Sequence, residues 1–171
     1  MNLDSKLFTK NSYELASALA AFEKFQRVEL VQTNPADAEW AVSTRELFCE
    51  LVAVGLGNLY NKIPLPSALF DMSMLKVILE GLDDTEATLI VDRTEEWLRY
   101  EGLVRILAGQ RNQYVMTSRA ISVLSVTTPE GSLGMQLTQT CACYARNYRA
   151  PELRIAVRRL VTTILAALSS S

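Results

Sequence analysis

The sequence predicts a mainly α-helical chain with one small β-hairpin set between helices. Three observations predict it. Glycine and proline are scarce, at 7 and 5 of 171 residues, so few positions force the chain out of regular structure. Apolar residues recur with a period near 3.6 over most of the length. Residues 85–125 read as a helical pattern, a glycine stop, two short strands about a polar turn, and the start of another helix.

Composition bounds the class. Hydrophobic residues make up 49% and charged ones 21%, as in a globular protein with a sizeable core. No apolar run approaches the roughly 18 residues of a membrane span. The most apolar segment, 160–168, is interrupted by Thr162 and Thr163. The N-terminal MNLDSKLFTKNSYE lacks the layout of a secretory signal, so the expected location is cytoplasmic. The three cysteines, Cys49, Cys141 and Cys143, are too few and too scattered for a disulfide framework and are expected to be buried thiols. With no histidine anywhere, the commonest general base and the commonest metal ligand are missing. The expectation is a protein that is not an enzyme, with no metal and no cofactor. A net charge of −2 confines any basic surface to a local patch.

Taken in order, residues 12–30 carry Leu15, Leu19, Phe22 and Phe25 at helical spacing, and Pro35 then breaks the pattern. This gives an N-terminal helical arm over 1–36. Ser43, Thr44, Arg45 and Glu46 match the S-x-x-E capping box, which predicts a helix from there to about Tyr60 through Leu47, Phe48, Leu51, Val54 and Leu59. Pro66 suits a helical first turn, so a second helix is predicted over 66–79 with Leu69, Phe70, Met72, Leu75 and Ile78 inward.

A third helix spans 85–100, its stripe of Ala87, Ile90, Val91, Thr94, Trp97 and Leu98 facing a core. Asp83, Asp84 and Glu86 complement the positive end of its dipole, and Gly102 provides its exit. Strands at 103–107 and 113–116 flank the turn, and Thr117 or Ser118 caps the next helix. Residues 127–131 read as a boundary closing a central module over 37–127. Two further helices, 133–148 and 151–168, form a C-terminal pair over 128–171. The second of these has a long apolar stripe, from Leu153 through Val157, Leu160, Val161 and Ile164 to Leu168, expected to serve packing or dimerisation.

The segments WLRYEGLVR (97–105) and YVMTSRAISVL (114–124) resemble the winged-helix (winged helix-turn-helix) superfamily, distantly its MarR-like bacterial regulators. In that superfamily a recognition helix ends in an E-G-L-V type exit, a hairpin wing follows, and a threonine caps the next helix. The resemblance implies a winged helix-turn-helix core with N-terminal and C-terminal packing helices. It further implies a non-enzymatic, dimeric transcriptional regulator that binds double-stranded DNA, the helix in the major groove and the wing on the backbone.

The residues placed to touch DNA are Thr88 and Arg93 on the third helix, Arg105 and Arg111 on the wing, and Arg119 beyond it, with Gln113 as a further polar candidate. A secondary basic cluster, Arg146, Arg149, Arg154, Arg158 and Arg159, opposes only Glu152. Against DNA stands the third helix itself. Over 85–101, Glu86, Asp92, Glu95, Glu96 and Glu101 outnumber Arg93 and Arg99, a poor surface for a polyanion. That imbalance supports the alternative, a winged-helix adapter or accessory subunit of a larger complex that contacts protein.

Overall fold

The computed structural model describes residues 35–148 and 150–170, with side-chain surroundings given from Thr44 onward. The predicted arm helix over 12–30 lies outside the described residues. Six helices and two small antiparallel hairpins follow in the order α1 (Pro35–Tyr60), α2 (Met72–Ile78), α3 (Asp84–Tyr100), β1 (Val104–Ile106), β2 (Tyr114–Met116), α4 (Ser118–Leu124), β3 (Thr127–Thr128), β4 (Gly131–Ser132), α5 (Leu133–Arg146) and α6 (Pro151–Ser169). The chain is therefore mainly α-helical, and no described helix is long and apolar enough to cross a membrane.

Helix α1 is the central element, because from Leu47 to Leu59 it is apolar on nearly every side. Leu51, Val52, Ala53 and Leu56 are all buried, and α3, α5 and α6 pack against it. The predicted start at Ser43 is corrected. The helix begins at Pro35, whose missing N–H costs nothing in a first turn, and Ala36, Ala38, Glu39 and Ala41 favour its continuation. Ser43 and Glu46 therefore lie inside a helix, where no free first-turn amide needs a capping box, and Glu46 turns to Arg158 instead.

The second helix is also shorter than predicted. Residues 61–71 are irregular because the backbone of Ser67 is committed elsewhere, exchanging bonds of 3.0 and 2.8 Å with Tyr114. Asp71 accepts from the Ser73 amide at 2.8 Å and so caps α2 at Met72 rather than near Pro66. Met72, expected inside, is 67% exposed, whereas Leu69 and Ile78 are buried.

Helix α3 follows its predicted stripe, with Ile90, Thr94 and Leu98 buried and Trp97 set edge-on to Phe48 at 5.1 Å. Gly102, at φ 66°, ends it in the left-handed conformation. The amide of Leu103 reaches Leu98 O and that of Gly102 reaches Arg99 O, so the exit is a Schellman motif. The hairpin pairs Val104 with Met116, Arg105 with Val115 and Ile106 with Tyr114. Since Tyr114 also bridges Ser67, a third segment lies along the outer edge of β2.

Where the sequence predicts a boundary, residues 127–132 form the second hairpin. The apolar stripe of α6 is buried within the chain: Val157, Leu160, Val161, Ile164 and Leu168 join one continuous core with α1, α4 and α5. Helices α1 and α5 approach closely because Gly57 and Gly134 carry no side chain at the contact. A Cβ on Gly134 would lie 2.3 Å from the Tyr60 ring.

Candidate functional site

The exit of α3 is bonded to the start of α4, with the β1–β2 hairpin lying between them in the chain. Thr117 caps α4 by accepting from the Ala120 amide at 3.3 Å, and its hydroxyl donates to Gly102 O at 2.5 Å. Its amide donates to Leu103 O, and Arg119 Nη1 donates to Glu101 O at 2.8 Å. Three successive carbonyls at the end of α3 thus bond the first residues of α4. Arg119, placed by the sequence among the residues touching DNA, thus also anchors the helix exit.

On the outward face of α3, Asp84, Thr88, Leu89, Asp92, Arg93, Glu96, Arg99 and Tyr100 are exposed. The Thr88 hydroxyl donates to Asp84 O at 2.7 Å, within its own helix. Arg93 pairs with Glu96 at 3.4 Å and Arg99 with Glu95 at 3.8 Å. Both pairs are partly exposed and worth only a few tenths of a kcal/mol each by the usual measure of such helix pairs. Their importance is directional: each guanidinium on this helix is drawn to a carboxylate of the same helix. Glu95 is further tied to the hairpin. Burial pushes the Tyr114 phenol well above its usual range, and its hydrogen bond to Glu95 acts in the same direction.

On the hairpin, Arg105 is exposed on β1, and Arg111 is exposed in a turn shaped by Gly109 at φ 80° and Asn112 at φ 63°. Neither takes part in an ion pair among the described residues. Gln113 is half-buried, its amide and carbonyl used inside the turn.

Two members of the secondary basic cluster are paired with carboxylates of α1. Arg149 lies outside the described residues, while Arg146 and Arg159 are exposed on α5 and α6. Arg154 and Arg158, one turn apart on α6, reach across to Glu50 and Glu46, one turn apart on α1. Glu50 is fully buried. Its carboxylate accepts from Tyr144 Oη at 2.6 Å, from Arg154 Nε at 2.6 Å and from Arg154 Nη2 at 3.3 Å. The hydrogen bond to Glu50 raises the Arg154 pKa further, and burial ahead of that same carboxylate raises the Tyr144 phenol. No buried side-chain nitrogen or oxygen among the described residues lacks a partner.

The sequence reading missed Glu46, Glu50 and Tyr144. The available signal was two carboxylates four residues apart in an otherwise apolar helix, a placement that demands partners.

The thiols divide. Cys49 and Cys141 are half-buried, and burial pushes them up to about 11 and about 12, while Cys143 is exposed, contrary to the expectation of three buried thiols. Cys141 lies against α1, its thiol donating to Ala53 O at 3.4 Å, whereas two residues on, a helix turns Cys143 away. Among the described residues no cluster of three His, Cys, Asp or Glu side chains could hold a metal ion. A hollow beside the Glu50 network is lined by Val77, Ile78, Glu80, Tyr144, Tyr148 and Arg154.

No family model, no curated protein and no solved structure matches this chain.

Proposed function

We propose that this chain is a non-enzymatic winged-helix interaction module, an adapter or accessory subunit whose helix α3 contacts protein. The order of α1, a bridging segment at Ser67, α2, α3 and a two-stranded hairpin supports the winged-helix reading. The observation that carries the choice of ligand is the state of α3. Its exposed surface presents Asp84, Asp92 and Glu96, and its two arginines are engaged by Glu96 and Glu95. A recognition helix inserted in a DNA groove must bring cations to phosphates. This one would bring carboxylates.

The DNA-binding regulator is the second reading, favoured by Arg105 and Arg111, exposed on the hairpin and outside any ion pair among the described residues. The two readings separate in a fluorescence anisotropy titration with random duplex DNA at low salt. The protein reading expects no binding. Binding that falls steeply with added salt and weakens on Arg111→Ala overturns it in favour of DNA. The α6 stripe, expected to serve packing or dimerisation, is covered by α1, α4 and α5 of the same chain.

A further inference from the structure

Helix α3 carries two lengthwise stripes. One, through Ile90, Thr94 and Leu98, is buried in the core. The other is formed by Leu89, Arg93, Glu96 and Tyr100, all exposed. Their i, i+4, i+7, i+11 spacing sets them in one line along the helix, about 16 Å long at the α-helical rise. That repeat is the one by which a helix seats against another helix at a shallow angle. The ends of the line are apolar, Leu89 at 41% exposure and Tyr100 at 87%, and its middle is the Arg93–Glu96 pair at 3.4 Å. We infer that the protein partner of α3 is an amphipathic helix with basic flanks, laid along Leu89, Arg93, Glu96 and Tyr100. This rests on the protein-binding reading above and names the chemistry of its partner.

Three features select this occupant. Leu89 and Tyr100 lie about three turns apart, a span that one straight helix covers with apolar side chains at the same repeat. A tyrosine this open buries a large rigid surface on association at little entropic cost. The charge around the line is acidic. Asp92 stands one turn from both Leu89 and Glu96, and Glu86 one turn before Leu89, so a carboxylate borders the line on each side. Neither Asp92 nor Glu86 is in an ion pair among the described residues. Glu86, Asp92 and Glu96 against Arg93 are complemented by lysine or arginine at the flanking positions of the partner. The line is also clear of the hairpin. Tyr114 meets α3 at Glu95, one residue before Glu96 and so turned about 100° from it.

The test is a peptide titration of the full chain followed by NMR chemical-shift mapping. The probe is an alanine-based peptide of about 18 residues, past the length at which isolated helices are marginal in water. It carries leucines at i, i+4, i+7 and i+11 and lysines on both flanks of that line. Saturable shifts are expected along α3 from Leu89 to Tyr100, with binding weakened by salt. The same peptide with glutamate for every lysine should bind at least about tenfold more weakly. Leu89→Ala with Tyr100→Ala should weaken the lysine peptide about tenfold or more. Asp92→Lys should weaken the lysine peptide and strengthen the glutamate one. All three positions are exposed, and circular dichroism checks that both variants fold.

A lysine peptide that does not bind, or whose shifts map away from α3, overturns the inference. So does binding that survives Leu89→Ala with Tyr100→Ala, or equal binding of the lysine and glutamate peptides. Where random duplex DNA also fails to bind at low salt, each of these results leaves the protein-binding reading standing with a partner of another kind. Duplex DNA that binds and shifts the same α3 amides removes both this inference and the reading beneath it.

Discussion

Removing the guanidinium from Arg154 tests what holds α6 on α1. In Arg154→Ala the Glu50 carboxylate, fully buried, keeps only its bond from Tyr144 Oη. Breaking a buried ion pair from one side costs about 3–5 kcal/mol. Here the Arg154 side chain is 38% exposed, so solvent already screens the pair and can enter the vacated place. The expected loss is therefore smaller, roughly 2–3 kcal/mol. For a chain of this size each kcal/mol moves Tm by about 2–4 °C, which puts the fall at roughly 4–12 °C.

Thermal and urea unfolding followed by circular dichroism measure it. The control removes the whole network at once, as Glu50→Met with Tyr144→Phe and Arg154→Met. It leaves no buried polar group behind and should unfold within about 1 kcal/mol of the wild type. If Arg154→Ala costs less than about 0.5 kcal/mol, or the triple replacement costs more than the single, the pair is not what anchors the helix.

Four other outcomes are expected. Gly134→Ala should cost about 1–3 kcal/mol by forcing Tyr60 aside, yet become neutral or favourable in a Tyr60→Ala background, where only the better helix propensity of alanine remains. Equal cost in both backgrounds would sink that account. Thr117→Ala should lose about 1–2 kcal/mol in urea melts, since it removes both the α4 cap and the bond to Gly102 O, and Thr117→Ser should recover most of it. Above about pH 9 the unfolded chain releases thiol protons that folded Cys49 and Cys141 keep to about 11 and about 12. The folded state then binds more protons, so stability should fall as pH rises through that window, and Cys49→Ala with Cys141→Ala should flatten the slope. At pH 8 a thiol reagent should label Cys143 alone until the chain unfolds, and rapid labelling of all three thiols in the folded protein would contradict the burial.

What the sequence could reveal was set by how local the cause was. The α3 stripe, the Gly102 exit and the Thr117 cap depend on residues within a turn or two, and each is readable as a pattern. The start of the second helix was not, because Ser67 is held out of a helix by Tyr114, 47 positions along the chain. Distance in sequence also hid the partners of the basic cluster. Arg154 and Arg158 read as a local excess of positive charge when counted beside Glu152, but the carboxylates they bond lie 104 and 112 residues away.

The clue was at the other end of those pairs. Glu46 and Glu50 stand one turn apart among Leu47, Phe48, Leu51 and Val52, and a carboxylate in such company needs a cation brought to it. Arg154 and Arg158 have the same one-turn spacing beside the apolar stripe of α6. When that spacing recurs on two apolar helices with opposite charge, mutual pairing accounts for both sets, and only the cations left over are available to a ligand. Among the described residues those include Arg105 and Arg111 on the hairpin and Arg146 and Arg159 on the C-terminal helices, all of them exposed.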